Sequence, residues 1–343
     1  VWHKRTSTMP ALSPSLSQSP RADQWLRFTP DGAFELRTGK VELGQGISAA
    51  LTQIACDTLG IATTQVQWVA GDTTHSPDEG YTAGSQSIEV GGMAWRHVGH
   101  VVRSHFAQAA AQHLSCDVHA LRLAAGVFIA PSGQGVSYHA LAHADPQAWQ
   151  ALCVDDEATP LIDIPTDPVS ARRDDLWLKF TGAGFIQDLQ LPDLWHARVL
   201  RGPHPDSRPI ALDTDALAAI PGVDRVLVQH QFVALIGRDE GALIKAHAQA
   251  KASTDWSVPD LPQEHDAEKL LPQLPKVTHM ALQEASNASA LAVEAVHLQR
   301  RYSRPYLAHA SIGPACALAQ PDAEGLQVWS HSQGVFKLSL IHI

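Results

Sequence analysis

Residues 38–59 read TGKVELGQGISAALTQIACDTL, and the fold is decided by how this stretch is parsed. Behind the two glycines, Ile47, Ala50, Leu51, Ile54, Ala55, Thr58 and Leu59 recur at the three-four spacing of one helix face, and Gly60 supplies a stop. The spacing predicts a helix over 47–59. Ahead of the glycines, residues 25–28 and 34–41 are short β-type runs around Pro30-Asp31-Gly32, a hairpin pattern. Beyond Gly60, residues 66–70 predict another strand, running into Gly71-Asp72 and the polar loop TTHSPDEGYTAGSQS over 73–87. A long helix to about Leu114 follows, with Val90, Ala94, Val98, Val101, Val102, Phe106 and Ala109 inward. The order strand, glycine-rich polar loop, helix therefore occurs twice.

A chain of 343 residues suits two domains at roughly 150 residues each. Hydrophobic residues at 45% against 17% charged are the balance of a soluble globular protein, and no apolar run approaches the roughly 20 residues a spanning helix needs. A net charge of -10 argues against a nucleic-acid footprint, which needs clustered Lys and Arg. Cys56, Cys116, Cys153 and Cys316 never form CxxC, so they read as reduced, mostly buried thiols, with neither a zinc ribbon nor an iron-sulfur cluster on this chain. His97, His100 and His105 lie close on one helix without a carboxylate or HExxH pattern and read as polar helix surface. No residue is assigned as catalytic or as a metal ligand. Residues 1–22 are rich in Ser and Pro and read as disordered; they carry no apolar h-region or twin arginine, which leaves the compartment open.

The fold class is α+β, with mixed sheets in more than one module. Residues 130–175 read as an irregular crossing segment, and strands near 223–228 and 232–236 are followed by a helix near 239–252. A Pro-rich linker starts at Trp256, and the strand near 326–329 has few residues left to pair with.

A loop that delivers backbone N–H groups at a helix start is an anion site, because those donors lack intrahelical partners and the macrodipole adds positive charge. Glycine there avoids a Cβ between backbone and ligand. Gly44 and Gly46 suit such a role, and Gly84, Ser85, Gln86 and Ser87 precede the second helix with amide and hydroxyl donors. Two such loops suggest one extended ligand, for instance a pyrophosphate-linked one. The alternative is two plain helix-entry loops, with Ser87 as an N-cap and Gly46 as a tight turn. Gly44, Gly46 and Ala49 also match GxGxxA, the fingerprint of nicotinamide and flavin enzymes, but Glu35, Arg37, Lys40 and Glu42 in the preceding run do not suit a parallel strand buried on both faces. An NAD-type dehydrogenase and a cofactor-free interaction module stay as rival readings.

Three stretches together resemble the molybdopterin-binding large subunits of the xanthine dehydrogenase and aldehyde oxidase family. GKVELGQGISAALTQIACDTLG from Gly39 and GDTTHSPDEGYTAGSQSIEVGG from Gly71 are similar to its two cofactor loops. KFTGAGFIQDLQLPDLWHARVLRGPHP with IPGVDRVL is similar to its small α/β hammerhead domain, and YSRPYLAHASIGPACALA with LQVWSHSQG to the segment that approaches the metal. Because the GQG loop precedes the hammerhead here, the order resembles the isoquinoline 1-oxidoreductase and nicotinate dehydrogenase branch.

The resemblance implies a disordered segment over 1–22, the first part of a molybdopterin-binding domain over 23–128, a connecting segment over 129–175, a hammerhead over 176–256, a linker over 257–290 and a further molybdopterin-binding domain from 291 to 343. It implies molybdopterin, as the cytosine dinucleotide, held by Gly44, Gln45 and Gly46 and by Thr82, Gly84, Ser85, Gln86 and Ser87, with Tyr306 and His309 lining a substrate pocket. It implies hydroxylation of an N-heteroaromatic compound or aldehyde with water as oxygen donor, and an iron-sulfur partner subunit that takes the electrons. The chain begins on Val1 and stops inside a strand-turn unit, so it reads as a fragment without the family's general-base glutamate, inactive as it stands, with Glu42, Glu79 and Glu89 solvated or stabilising loops.

Overall fold

In the computed structural model, residues 12–154, 162–169, 172–173, 175–275, 298–311, 313–323 and 325–342 are described. The described residues of Val1–Leu189 and Ala315–Ile343 form one unit, and those of Gln190–Pro314 a second.

The first unit opens on helix α1 (Pro14–Gln18), which corrects the reading of residues 1–22 as disordered over 12–22; residues 1–11 lie outside the described ones. Pro14 sits in the first turn, where its missing N–H leaves no hydrogen bond unmade, and Leu16 is fully buried. Composition misleads here because neighbours hold the segment: the Ser13 hydroxyl donates to the Val90 carbonyl at 2.9 Å.

Strands β1 (Leu26–Phe28) and β2 (Phe34–Thr38) form the expected antiparallel hairpin, with Leu26 opposite Leu36. Along β2 the side chains alternate: Phe34, Leu36 and Thr38 are buried, while Glu35 and Arg37 pair at 2.6 Å on the other face. Helix α2 (Ile47–Leu59) carries the chain to β3 (Val66–Ala70), which lies parallel to β2 with Trp68 opposite Leu36. The sheet order β1-β2-β3 is therefore mixed, as the charged face of β2 requires. Gly60 ends α2 in the left-handed region at φ +65°, where a Cβ would also meet the Leu123 side chain at 2.5 Å.

The second long helix enters through a wide π-turn, Ser87–Gly92, and continues as α3 (Met93–His113). It packs on α2 at Gly99, where an added Cβ would overlap the Thr58 side chain. The crossing segment is not irregular up to residue 150: β6 (Gly135–Ser137) completes a meander with β4 (Arg122–Ala124) and β5 (Val127–Ile129), and α4 (Tyr138–Ala144) and α5 (Pro146–Gln150) are capped by Ser137 and Asp145. Three-residue strands show too little periodicity to be read. Tyr138, fully buried, donates to the Leu59 carbonyl at 2.8 Å and stands among Phe28, Phe34, Phe106 and Phe128. Helix α6 (Asp175–Thr181) follows.

The second unit has strands β7 (His196–Leu200) and β8 (Pro209–Ala211), helix α7 (Thr214–Ala218), strands β9 (Arg225–Gln229) and β10 (Phe232–Gly237), helix α8 (Glu240–Ser253), strand β11 (Asp255–Trp256) and helix α9 (Ala267–Leu270). β10 is central in the antiparallel sheet β7-β10-β9. Asp239 caps α8 by accepting from the Ala242 amide at 2.7 Å, and Leu243, Ala246 and Ala250 join Leu200, Val233 and Leu235 in a separate core. The chain then returns to the first unit with β12 (Ala317–Pro321), β13 (Leu326–Ser330) and α10 (Val335–His342). β13, read as having few residues left to pair with, finds its partner just upstream in β12, Leu318 opposite Trp329.

Two side-chain readings change. His97 is buried and His100 and His105 are half-buried, so the three are not polar surface: other elements enclose α3 on more than one side. Burial and the Arg103 guanidinium, 3.0 Å from its ring, push His100 down to about 4. Of the cysteines only Cys56 is buried, its thiol pushed up to about 12 by burial; Cys153 is exposed.

Candidate functional site

Each of the parallel strands β2 and β3 hands its carboxyl end to a loop, and each loop runs into a helix. Between the loops lies a cleft of about 350 Å³. Leu43, Gln45, Gly46, Ile47 and Ala50 line it from the first side, and Thr82, Ala83, Ser85, Ser87 and Ile88 from the second. The structure thus brings the two glycine-rich loops to one site, and Gln45, Gly46, Thr82, Ser85 and Ser87 face it together. Gly44, Gly84 and Gln86 belong to the same loops beside the cleft. Gly44 at φ +98°, Gly46 at +85° and Gly84 at +65° occupy the left-handed region, and so does Ser85 at +61°, an uncommon conformation for a residue with a side chain. Ser87 is not an N-cap, since no side chain caps the π-turn. Tyr306 and His309 belong to the second unit and are exposed in a stretch without regular structure.

A buried polar network laces the loops together. The period-two pattern of β2 continues inward to Lys40, which is buried and donates to the carbonyls of Glu79 at 2.6 Å and Tyr81 at 3.1 Å. Glu79 is equally enclosed, which overturns the solvated reading and leaves the loop-stabilising one. Its carboxylate accepts from the Gly39 amide at 2.9 Å, from the Thr38 hydroxyl, and from Ser15 at 3.4 Å. Burial raises the Glu79 carboxyl, opposed by these hydrogen bonds and by Lys40; burial lowers Lys40, opposed by Glu79 and Asp78. Thr82 closes the seam, its hydroxyl accepting from Val41 at 3.0 Å and its amide donating to the Gln333 carbonyl at 2.7 Å. Lys40 had a signal in the alternation of residues 34–40; Gln333, far along the chain, had none.

Glu42, read from the sequence as solvated or loop-stabilising, has the loop-stabilising role. Its carboxylate accepts from the amides of Gly44 at 2.8 Å, Gly46 at 2.9 Å and Ser48 at 3.2 Å, capping α2. Gln45 folds back on its own loop, its side-chain oxygen accepting from Leu43 at 2.5 Å and its amide donating to Val41 at 3.1 Å.

Residues 4–161 match the family model described as molybdopterin cofactor-binding domain. Among curated proteins it is similar to a nicotinate dehydrogenase subunit of Pseudomonas putida, 32% identical over 90% of this chain and 27% of that one. It is also similar to the beta chain of isoquinoline 1-oxidoreductase of Brevundimonas diminuta, 23% identical over 96% of this chain and 48% of that one. The chain therefore spans about a quarter and about half of these relatives' lengths. Both belong to the branch that the order of the motifs suggested. Among solved structures, a Cu,Mo-CO dehydrogenase has 23% identity and a TM-score of 0.32, covering 37% of this chain and 17% of that one. Quinoline 2-oxidoreductase from Pseudomonas putida 86 has 22% identity and a TM-score of 0.30, covering 39% and 17%.

The cleft fits a large organic group in part. Its size is that of a small-molecule pocket, and Leu43, Ile47, Ala50, Ala83 and Ile88 give it apolar walls with a few polar groups at the edge. Glycine at position 46 is favoured by its φ of +85°, and a Cβ there would also have to displace the movable Arg173 guanidinium. The phosphate contact expected of Gly44 and Gly46 fits less well, since their amides already donate to Glu42. Among the described residues no cluster of three or more His, Cys, Asp or Glu is placed to hold a metal ion, and no helix is long and apolar enough to cross a membrane.

Proposed function

We propose that this chain is part of the large subunit of a molybdenum hydroxylase, and that its cleft holds molybdopterin in the cytosine dinucleotide form. The observation that carries this reading is the meeting of both glycine-rich loops at one cleft within the matched domain. Gln45, Gly46, Thr82, Ser85 and Ser87 would touch the cofactor, while Gly44, Gly84 and Gln86 shape the loops that present them. When bound, the cofactor supplies oxidation of a substrate carbon with water as oxygen source. The protein's share at this site is to position it: the apolar walls exclude water from one face, and the Lys40–Glu79 network keeps the two loops at a set distance. The names of the two curated relatives favour an N-heteroaromatic substrate over an aldehyde, and their designation as subunits favours a partner, read here as an iron-sulfur protein that removes the electrons. The second unit, with α8 on the β7-β10-β9 sheet, is read as the hammerhead domain.

The test is metal and nucleotide analysis of the full-length protein purified with its partner. One molybdenum per large subunit and release of a cytosine nucleotide on denaturation are the expected outcome. A metal-free protein that yields no nucleotide from cells proficient in cofactor synthesis overturns the reading.

A further inference from the structure

The start of α2 is where an anion would ordinarily settle, because first-turn amides lack intrahelical acceptors and the helix dipole is positive there. In this protein the chain fills that place itself. One carboxylate oxygen of Glu42 takes the amides of Gly44 and Gly46, and the other takes Ser48. The next donor along the loop, the Leu43 amide, is taken by the Gln45 side chain. Arg173 closes the outside: its guanidinium lies 3.8 Å from Glu42, presses against Gly46, and is fixed by two hydrogen bonds to Asp175 at 2.7 and 2.8 Å. What the first loop shows the cleft is therefore Leu43, Ile47, Ala50 and the edge of Gln45, backed by the half-buried Glu42 carboxylate.

We infer that Glu42 is a specificity-determining residue, an internal anion that closes the α2 start to phosphate, so that the ligand of this cleft lays an uncharged organic face against the first loop. A phosphate approaching Gly44 and Gly46 would meet engaged donors and a like charge at contact distance. The inference deepens the cofactor reading and rests on it for the identity of the ligand, while the exclusion of phosphate is a property of the chain alone.

The experiment is a titration of this chain with inorganic pyrophosphate, followed through the backbone amide resonances of Gly44, Gly46 and Ser48. In the native sequence these resonances should not move. In Glu42→Ala they should shift saturably, with affinity at least about tenfold higher, as expected when an anion site at a helix start is uncovered. Glu42→Gln keeps one acceptor oxygen without the charge, and serves where the alanine variant fails to fold; it should show the same gain to a smaller degree. Saturable shifts at these three amides in the native chain overturn the inference, and so does the absence of any gain in a folded variant. Lack of molybdenum in the full-length protein, with the amides behaving as stated, would sink the cofactor reading and leave the exclusion standing.

Discussion

Lys40 shows how one side chain sets the geometry of the cleft. A lysine with its stem in the core and its ammonium on two carbonyls is stable only because those acceptors and the nearby Glu79 charge offset its desolvation. Removing the ammonium leaves the Glu79 carboxylate buried without its counter-charge and frees the carbonyls of Glu79 and Tyr81. Lys40→Met, which keeps the apolar stem, is expected to lower stability by about 3 kcal/mol in urea unfolding, the cost typical of breaking one side of a buried pair. The same variant should speed amide exchange over residues 79–83, because the second loop loses its tie to β2.

At the level of elements, the two long helices α2 and α3 are held together by a close approach. α2 presents Thr58 and α3 presents Gly99, and the hydroxyl of Thr58 turns back to the carbonyls of Ile54 and Ala55 at 2.9 and 3.0 Å instead of reaching across. With no Cβ on Gly99, the backbone of α3 can lie directly on α2. Gly99→Ala would raise the intrinsic helix propensity of α3, yet the overlap with Thr58 must push the helices apart. The overlap is expected to win, with a net loss of about 1–3 kcal/mol by thermal or urea melting. A neutral or stabilised Gly99→Ala protein would show that the helices slide freely, against the packing described.

For the whole molecule, two cores define two units. Trp25, Leu36, Trp95 and Phe106 belong to one cluster and Leu200, Val233, Leu235 and Leu243 to another. Leu235 is fully buried on β10, the central strand of its sheet. Leu235→Ala is expected to cost about 2–5 kcal/mol within the second unit. Hydrogen exchange should quicken at the amides of β7, β9 and β10 while those of α2 and α3 keep their rates. A matching loss of protection in both units would mean that they unfold as one.

What could be read from residue order alone is what depends on near neighbours. The three-four spacing of Ile47 to Leu59, the stop at Gly60, the hairpin around Pro30-Asp31-Gly32 and the helix near 239–252 each need only a few consecutive residues, and each stands where expected. The two glycine-rich loops were legible for the same reason, since glycines ahead of a helix mark a place where backbone donors are exposed. Tertiary structure alone decided what those donors meet. Arg173 on the Glu42 side of the first loop, the Gln333 carbonyl under Thr82 and the Glu79 carboxylate beneath Gly39 arrive from distant parts of the chain. A hydrogen-bond donor is a property of one residue, but its partner is fixed only when the packed chain has removed water and chosen among the acceptors that remain.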